Sequence, residues 1–271
     1  MFVTRLLSGI VLVIGLIATF VFGDPFVTIV FGLLALIADF ELMRVFGYEK
    51  KAIGIVTYFA VIGYYILVAL EEVSYVTPLL VVSLVLLLVI YVKQYPKLRI
   101  EAIAQCFFAI VYGGMLLSYV IFTRVALFDG EWLVWLIVFG SWGADTCAYC
   151  VGKLIGKHHF SELSPKKTME GCIGGVIGAG LLSFIYSFFV PDSMSAWFSI
   201  SPQIVFPIVV MISAVVSIFG DLAASAIKRN YEVKDYGNII PGHGGILDRF
   251  DSVIFVAPFV YYLLLFSTVF N

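Results

Sequence analysis

Long apolar segments dominate this chain and restrict its fold more than any other feature. A helix needs about 20 mostly apolar residues to cross the hydrocarbon core of a bilayer. Breaks at charged or Pro/Gly clusters leave nine such segments: 6–22, 26–43, 53–70, 76–92, 102–122, 132–151, 172–190, 204–227 and 253–270. Only 13% of the residues are charged, against roughly a quarter in soluble domains. The sequence therefore predicts an all-α, polytopic membrane protein with about nine transmembrane helices.

The charges between these segments test the count independently and predict an orientation. Fifteen of the 16 Lys and Arg residues lie at the N-terminus or in every second loop, and the intervening loops contain only Arg124. Cytoplasmic loops of membrane proteins carry an excess of Lys and Arg, so we expect the N-terminus inside and the C-terminus outside. The two longest loops, 152–171 and 228–252, would then both be cytoplasmic, where nucleotides are found.

The sequence shows no internal repeat, low-complexity tract or soluble domain. We interpret 1–271 as a single integral membrane domain, with N-terminal helices in 1–130 and a catalytic half in 131–271. The short length and the lack of a soluble extension suggest a bacterial inner membrane, with the active site facing the cytoplasm.

Two acids inside predicted spans are candidates for function, because acids are costly within a membrane. Asp145 follows Gly143-Ala144. The alternative to a functional role is that it is a helix-end acid paired with a basic neighbour. Asp221, Ser225 and Lys228 stand at positions i, i+4 and i+7, which share one helical face. Asp221 would lie roughly 10 Å below Lys228 along the helix axis. This stripe reaches from the membrane surface into the headgroup zone, where a soluble nucleotide could meet a lipid headgroup.

The loop that follows carries the residue types of a phosphate site. Glycines flank His243 and allow tight turns and a close approach of the backbone to phosphate oxygens. Asp248 and Asp251 are three residues apart as the last helix begins, so both can face one site. Carboxylates among Lys and Arg predict a Mg²⁺-assisted phosphate site, because hard oxygen ligands hold the cation while basic groups neutralise phosphate charge. A solvated helix cap is the alternative, but it explains neither the glycine-flanked His243 nor the acid within the preceding span.

The loop 152–171 supplies a second basic cluster, Lys166-Lys167, directly before a helix. We expect it to contact phosphate, and a surface patch for anionic lipids is the alternative. Glycines then recur from Gly171 to Gly178 with small-x-x-x-small spacing, which predicts close helix packing in preference to ligand contact.

The segment Ser225 to Asp251 resembles the signature of the phosphatidate cytidylyltransferases, also called CDP-diacylglycerol synthases. The matching elements are Ser225-x-x-Lys228-Arg229, Lys234-Asp235 and Pro241-x-His243-Gly244-Gly245-x-x-Asp248-Arg249-x-Asp251. Further matches are Gly143-Ala144-Asp145-Thr146 and Ser164-Pro165-Lys166-Lys167-Thr168-x-Glu170-Gly171. Met169 and Cys147 stand where the family often has an aromatic residue and a glycine. The first 130 residues resemble the family only in hydropathy.

The resemblance implies transfer of CMP from CTP to phosphatidic acid, giving CDP-diacylglycerol and pyrophosphate for phospholipid biosynthesis. It implies Mg²⁺ held by Asp221 and Asp248, with Asp145 and Asp251 as helpers and a second cation left open. The catalytic set is then Asp221, Asp248, Lys228 and Arg249. The substrate-binding set is Lys166, Lys167, Ser225, Arg229, Lys234, Asp235, His243, Gly244 and Gly245.

Two other functions remain open on the sequence. A CTP-dependent kinase of polyprenols or dolichol has a similar architecture and would transfer the γ-phosphate instead. An ion-coupled transporter also carries intramembrane acids, although its acids should cluster near the midplane with helix breaks. The expected partners are CTP, phosphatidic acid and membrane lipid, with no nucleic acid, and the resemblance is compatible with a homodimer.

Overall fold

The protein is described by a computed structural model that covers residues 2–194, 198, 200–242 and 244–269, without the side chains of 2–7, 268 and 269. The described chain is built of helices joined by short loops. They are α1 (Phe2–Val21), α2 (Asp24–Val45), α3 (Ala52–Ala69), α4 (Val76–Gln94), α5 (Ile100–Val125), α6 (Gly130–Ile155), α7 (Met169–Tyr186), α8 (Pro202–Asn230) and α9 (Leu247–Val269). Within the described ranges, the only β-type pairings are two isolated bridges.

The helices confirm the prediction of an all-α, polytopic membrane protein. Eight of them, α2 to α9, are long and apolar enough to cross a membrane, and α1 contributes a shorter apolar stretch, Ser8–Val21. Each of the nine predicted segments overlaps one of these helices. Large apolar side chains such as Phe59 and Val92 are 69% and 70% exposed, as expected where lipid covers the surface. The orientation of the termini stays a prediction.

Two long helices contain a π-helical turn. In α5 the turn covers Ile110–Met115, and in α6 it covers Phe139–Gly143. Turns of this type are rare and occur frequently at functional sites. The turn in α6 ends one residue before Ala144-Asp145, so the first candidate acid lies directly after an irregularity in its helix.

The chain forms two compact units that are interleaved in sequence. The first unit comprises Met1–Ser118 and Lys228–Phe250, and the second comprises Tyr119–Ile227 and Asp251–Asn271. The predicted catalytic half, 131–271, therefore contributes residues to both units.

In the first unit, α2 lies at the centre of the packing. Phe31, Ala35 and Leu42 on this helix are 0–1% exposed. Gly113 in α5 allows close approach, because a Cβ there would lie 2.9 Å from Leu42 Cδ1. A helix held so tightly can place polar side chains with little freedom.

In the second unit, α6 and α7 pack closely through glycine. A Cβ on Gly175 would lie 2.8 Å from the carbonyl oxygen of Ala144, and a Cβ on Gly178 would lie 2.7 Å from Cys147 Cβ. Real side chains do not approach at these distances, so the glycines are what lets the two helices meet. This confirms the packing role predicted for the glycine repeat.

Candidate active site

A cavity of about 440 Å³ opens in the second unit between α6, α7, α8 and the loop before α7. Apolar and small residues of the three helices form much of its wall, among them Ala148, Gly175 and Ala214. The charged residues on the cavity are Asp145, Lys153, Lys166, Lys167 and Asp221. Both intramembrane acids that the sequence predicted, and both lysines of the predicted pair, therefore reach one cavity.

Lys167 lies between the two acids. Its Nζ donates a short hydrogen bond to Asp221 Oδ2 and lies 3.9 Å from Asp145 Oδ1. Burial alone would lower the pKa of Lys167, but the charge and hydrogen bond of Asp221, together with the charge of Asp145, raise the pKa above its ordinary value. The three side chains keep partial exposure, at 23% for Lys167, 18% for Asp221 and 42% for Asp145. The ammonium of Lys167 therefore lies near two carboxylates that a ligand in the cavity can still reach.

Thr168, the residue after Lys167, holds the end of the loop before α7. Thr168 begins α7 as its N-cap, and its side-chain oxygen accepts the amide of Gly171 at 3.1 Å, which satisfies one of the free amides of a helix start. A Cβ on Gly152 would lie 2.9 Å from the same oxygen. Glu170 accepts a backbone hydrogen bond at 3.3 Å from His158, whose ring nitrogen lies 2.5 Å from the other carboxylate oxygen. Capping and glycine contact thus fix the end of the loop that presents the lysines.

Asp248, one acid of the second predicted pair, is held in the first unit. Asp248 Oδ2 accepts the backbone amides of Tyr236 at 2.8 Å and Gly245 at 2.9 Å. Its Oδ1 accepts a hydrogen bond from Lys228 Nζ at 2.8 Å, and the two side chains are only 3% and 17% exposed. Gly244 has a φ of +87°, and a Cβ on it would lie 2.7 Å from Asp248 Oδ2. Glycine is required there both for the backbone conformation and for the space.

For the other predicted site residues that it describes, the structure shows the degree of burial but does not test their roles. Ser225, Arg249 and Asp251 are half-buried, whereas Arg229, Lys234 and Asp235 are exposed. His243 lies outside the described residues. The predicted roles of all of them stay predictions.

The residues present fit a divalent cation that is held jointly by protein carboxylates and substrate phosphates. Among the described residues there is no group of three or more His, Cys, Asp and Glu that would hold a metal alone. Mg²⁺, however, is usually bound by one or two carboxylates together with substrate phosphates and water. Asp145 and Asp221 on the cavity fit this mode. Asp248 fits it less directly, because both of its oxygens already accept hydrogen bonds from the protein.

Sequence reasoning missed one acid that the structure makes prominent. Glu41 on α2 is 0% exposed and accepts the backbone amides of Ile246 at 3.1 Å and Leu247 at 2.8 Å. The same rule that selected the other intramembrane acids applies to Glu41, since it falls in the predicted span 26–43. Its partner lies about two hundred residues further along the chain, and no local spacing indicates that contact.

Comparison with known proteins shows what this chain is similar to. A family model described as the cytidylyltransferase family matches residues 3–267. A phosphatidate cytidylyltransferase of Bacillus subtilis is 42% identical over 161 residues, which are 59% of this chain and 57% of that protein. One of Staphylococcus haemolyticus is 39% identical over 166 residues, covering 60% and 59%. One of Synechocystis sp. is 36% identical over 207 residues, covering 65% and 67%. The chain thus spans somewhat more than half the length of the first two relatives.

Proposed function

The chain belongs to the cytidylyltransferase family, and on that premise we propose that it transfers CMP from CTP to phosphatidic acid. The products would be CDP-diacylglycerol and pyrophosphate. The names of the relatives support this substrate pair. The observation that carries the proposal is the cavity at which Lys167 lies between Asp145 and Asp221, because such a group of charges can hold phosphate and a cation together.

The chemistry of this transfer suits the groups on the cavity. A phosphate monoester has a second pKa near 6, so the lipid phosphate is largely a dianion at neutral pH and is already nucleophilic. No strong base or covalent intermediate is required. The protein has to reduce the repulsion between two anions, align them, and stabilise the leaving pyrophosphate. Lys166 and Lys167 on the cavity would donate to phosphate oxygens for this purpose.

Asp145 and Asp221 would hold a divalent cation such as Mg²⁺, with Asp248 and Asp251 as further proposed ligands. The bound cation would neutralise charge on the phosphates. Lys167 would then exchange its hydrogen bond to Asp221 for one to a phosphate oxygen. Lys228 would do the same with Asp248, and Arg249 would add a further positive charge.

We also propose where the reaction takes place relative to the membrane. The helices make the chain an integral membrane protein, and the distribution of Lys and Arg supports an active site that faces the cytoplasm of a bacterial inner membrane. Phosphatidic acid would arrive from the bilayer and CTP from the cytoplasm. A homodimer is compatible with the family and would be tested by the mass of the purified protein in detergent.

The test is incubation of the purified protein in detergent with phosphatidic acid, Mg²⁺ and CTP labelled at the α-phosphate. We expect label in the lipid and release of pyrophosphate, and we expect EDTA to block both. If the lipid stays unlabelled, the proposal is wrong. CTP labelled at the γ-phosphate, with a polyprenol as acceptor, then tests for a kinase, and no transfer in either assay would favour the transporter.

A further inference from the structure

The loop between α8 and α9 is held to α2 by a buried carboxylate. Glu41 accepts the amides of Ile246 and Leu247 through its two separate oxygens. Leu247 is the first residue of α9, so these amides belong to the helix start, where no carbonyl of the same helix is available to them. A negative charge at a helix start is also favourable because of the helix dipole. Glu41 therefore caps α9 from a different helix.

The same carboxylate explains two glycines of the loop. A Cβ on Gly237 or on Gly245 would overlap the carboxylate of Glu41. Neither glycine has a positive φ, so space, and not backbone conformation, requires glycine at these two positions. The loop backbone therefore lies directly against Glu41 at both ends of the 236–247 segment.

Arg44 and Asp248 make further contacts that hold the loop near Glu41. Arg44, one turn after Glu41 on α2, donates a short hydrogen bond to the carbonyl oxygen of Tyr236. Asp248 accepts the amides of Tyr236 and Gly245 and so joins the two ends of the loop. Side chains from α2 and α9 thus hold the two ends of this loop, 236–237 and 245–247, and Glu41 is the one that anchors the start of α9.

We propose that Glu41 is a positioning residue, whose carboxylate fixes the 236–247 loop and the first turn of α9 so that the loop can form the nucleotide site. The proposal rests on the proposed cytidylyl transfer and on the predicted role of Gly244 and Gly245 in substrate binding. Without the carboxylate, the amides of Ile246 and Leu247 lose their acceptor and the first turn of α9 frays. Misplacement of reacting groups by about 1 Å lowers rates on the order of 100-fold, so a small loop movement is sufficient to reduce turnover.

The variant Glu41→Gln tests this role. Its amide group keeps one acceptor oxygen but turns an NH₂ donor toward a backbone amide, which repels it. We expect kcat/KM for CTP to fall on the order of 100-fold, while KM for phosphatidic acid changes less than about threefold. Amide hydrogen exchange of peptides that span 236–250 should become faster.

Asp39→Asn is the matched control. Asp39 is on the same helix, is also 0% exposed, and accepts a hydrogen bond from Thr57 at 2.7 Å and none from the described residues of the loop. It should keep kcat/KM for CTP within about threefold and leave exchange of the loop unchanged. An equal loss of activity in both variants would mean that any buried acid of α2 matters for folding, and the positioning role would be overturned.

Gly237→Ala gives a second route if Glu41→Gln does not fold. It keeps every charge and places one methyl group against the carboxylate. Its control is Gly15→Ala, because a Cβ on Gly15 meets none of the described residues within 4 Å. Wild-type kcat/KM for CTP in Gly237→Ala, or in a folded Glu41→Gln, contradicts the inference. Failure of the wild-type protein to label lipid would instead contradict the proposed function, and the exchange measurement would still show whether Glu41 fixes the loop.

Discussion

The two units of the molecule hold their acids in different ways. On the cavity of the second unit, Asp145 and Asp221 have side chains that are 42% and 18% exposed, and both lie near the single ammonium of Lys167. At the start of α9 in the first unit, Asp248 is 3% exposed and accepts hydrogen bonds from Lys228 and from two backbone amides. The cavity acids can change partners when a ligand arrives, whereas Asp248 can release only Lys228, because the buried amides of Tyr236 and Gly245 would otherwise lose their acceptor.

Because of this difference, mutation of one acid at a time can distinguish an effect on turnover from an effect on stability. Removal of a cavity acid should reduce turnover and leave the fold largely intact. Removal of Asp248 should reduce both turnover and stability, because the same carboxylate that would serve the reaction also holds the loop before α9. The predictions that follow test this separation.

The largest effect is expected for Asp221→Asn. The amide is a poor ligand for a cation and removes the nearest counter-charge of Lys167, so turnover should fall by about 10³-fold or more. The thermal unfolding midpoint in detergent should change little, since this side chain is partly exposed. Turnover comes from the label-transfer assay and the midpoint from circular dichroism, and wild-type consumption of CTP by the folded variant would remove Asp221 from the metal site.

Asp248→Asn should also abolish turnover, but with a loss of stability that Asp221→Asn does not show. The change leaves Lys228 buried without a counter-charge, which typically costs about 3 kcal/mol or more. We expect a clearly lower unfolding midpoint in the same assay, with the protein still folded at low temperature. An unchanged midpoint would mean that Asp248 behaves like the cavity acids, and the comparison between the units would fail.

Lys167→Met should lower kcat/KM by about 100-fold, because one of the positive charges that offset anion repulsion is lost. Since the pKa of Lys167 is raised above its ordinary value of 10.5, its charge is fully present below that value and is lost only as the pH rises through the higher folded-state value. The ratio of wild-type to variant activity should therefore stay constant from about pH 6.5 to pH 9. A ratio that declines within this range would mean that Lys167 loses its proton there.

Gly178→Ala should destabilise the second unit by about 1–3 kcal/mol, because the added methyl group meets Cys147 Cβ. Gly178 does not line the cavity, so KM for both substrates should remain unchanged. The control is Gly15→Ala, where the added methyl group has no neighbour within 4 Å in the described part of the chain and helix propensity favours alanine. An increase in KM in the Gly178 variant would extend the ligand site along α7.

The sequence predicts the helices well because each membrane span is determined by its own hydropathy, independent of its neighbours. It also selected Asp145, Lys167 and Asp221, which the fold brings to one cavity. It could not predict the π-helical turn before Asp145, because hydropathy does not depend on the hydrogen-bond register of a helix. It missed Glu41 because the partner of this carboxylate lies 205 residues away, and a contact of that range depends on packing.

The smallest effect is expected for Lys93→Glu, at the end of α4. Lys93 is exposed and lies neither on the cavity nor among the side chains that hold the 236–247 loop. Reversal of an exposed charge usually changes stability by less than about 0.5 kcal/mol, so kcat/KM for both substrates should stay within about twofold of wild type. A complete loss of activity in this variant would mean that the loop after α4 belongs to the active site. The division of roles between an accessible cavity and a buried loop would then have to include a third region.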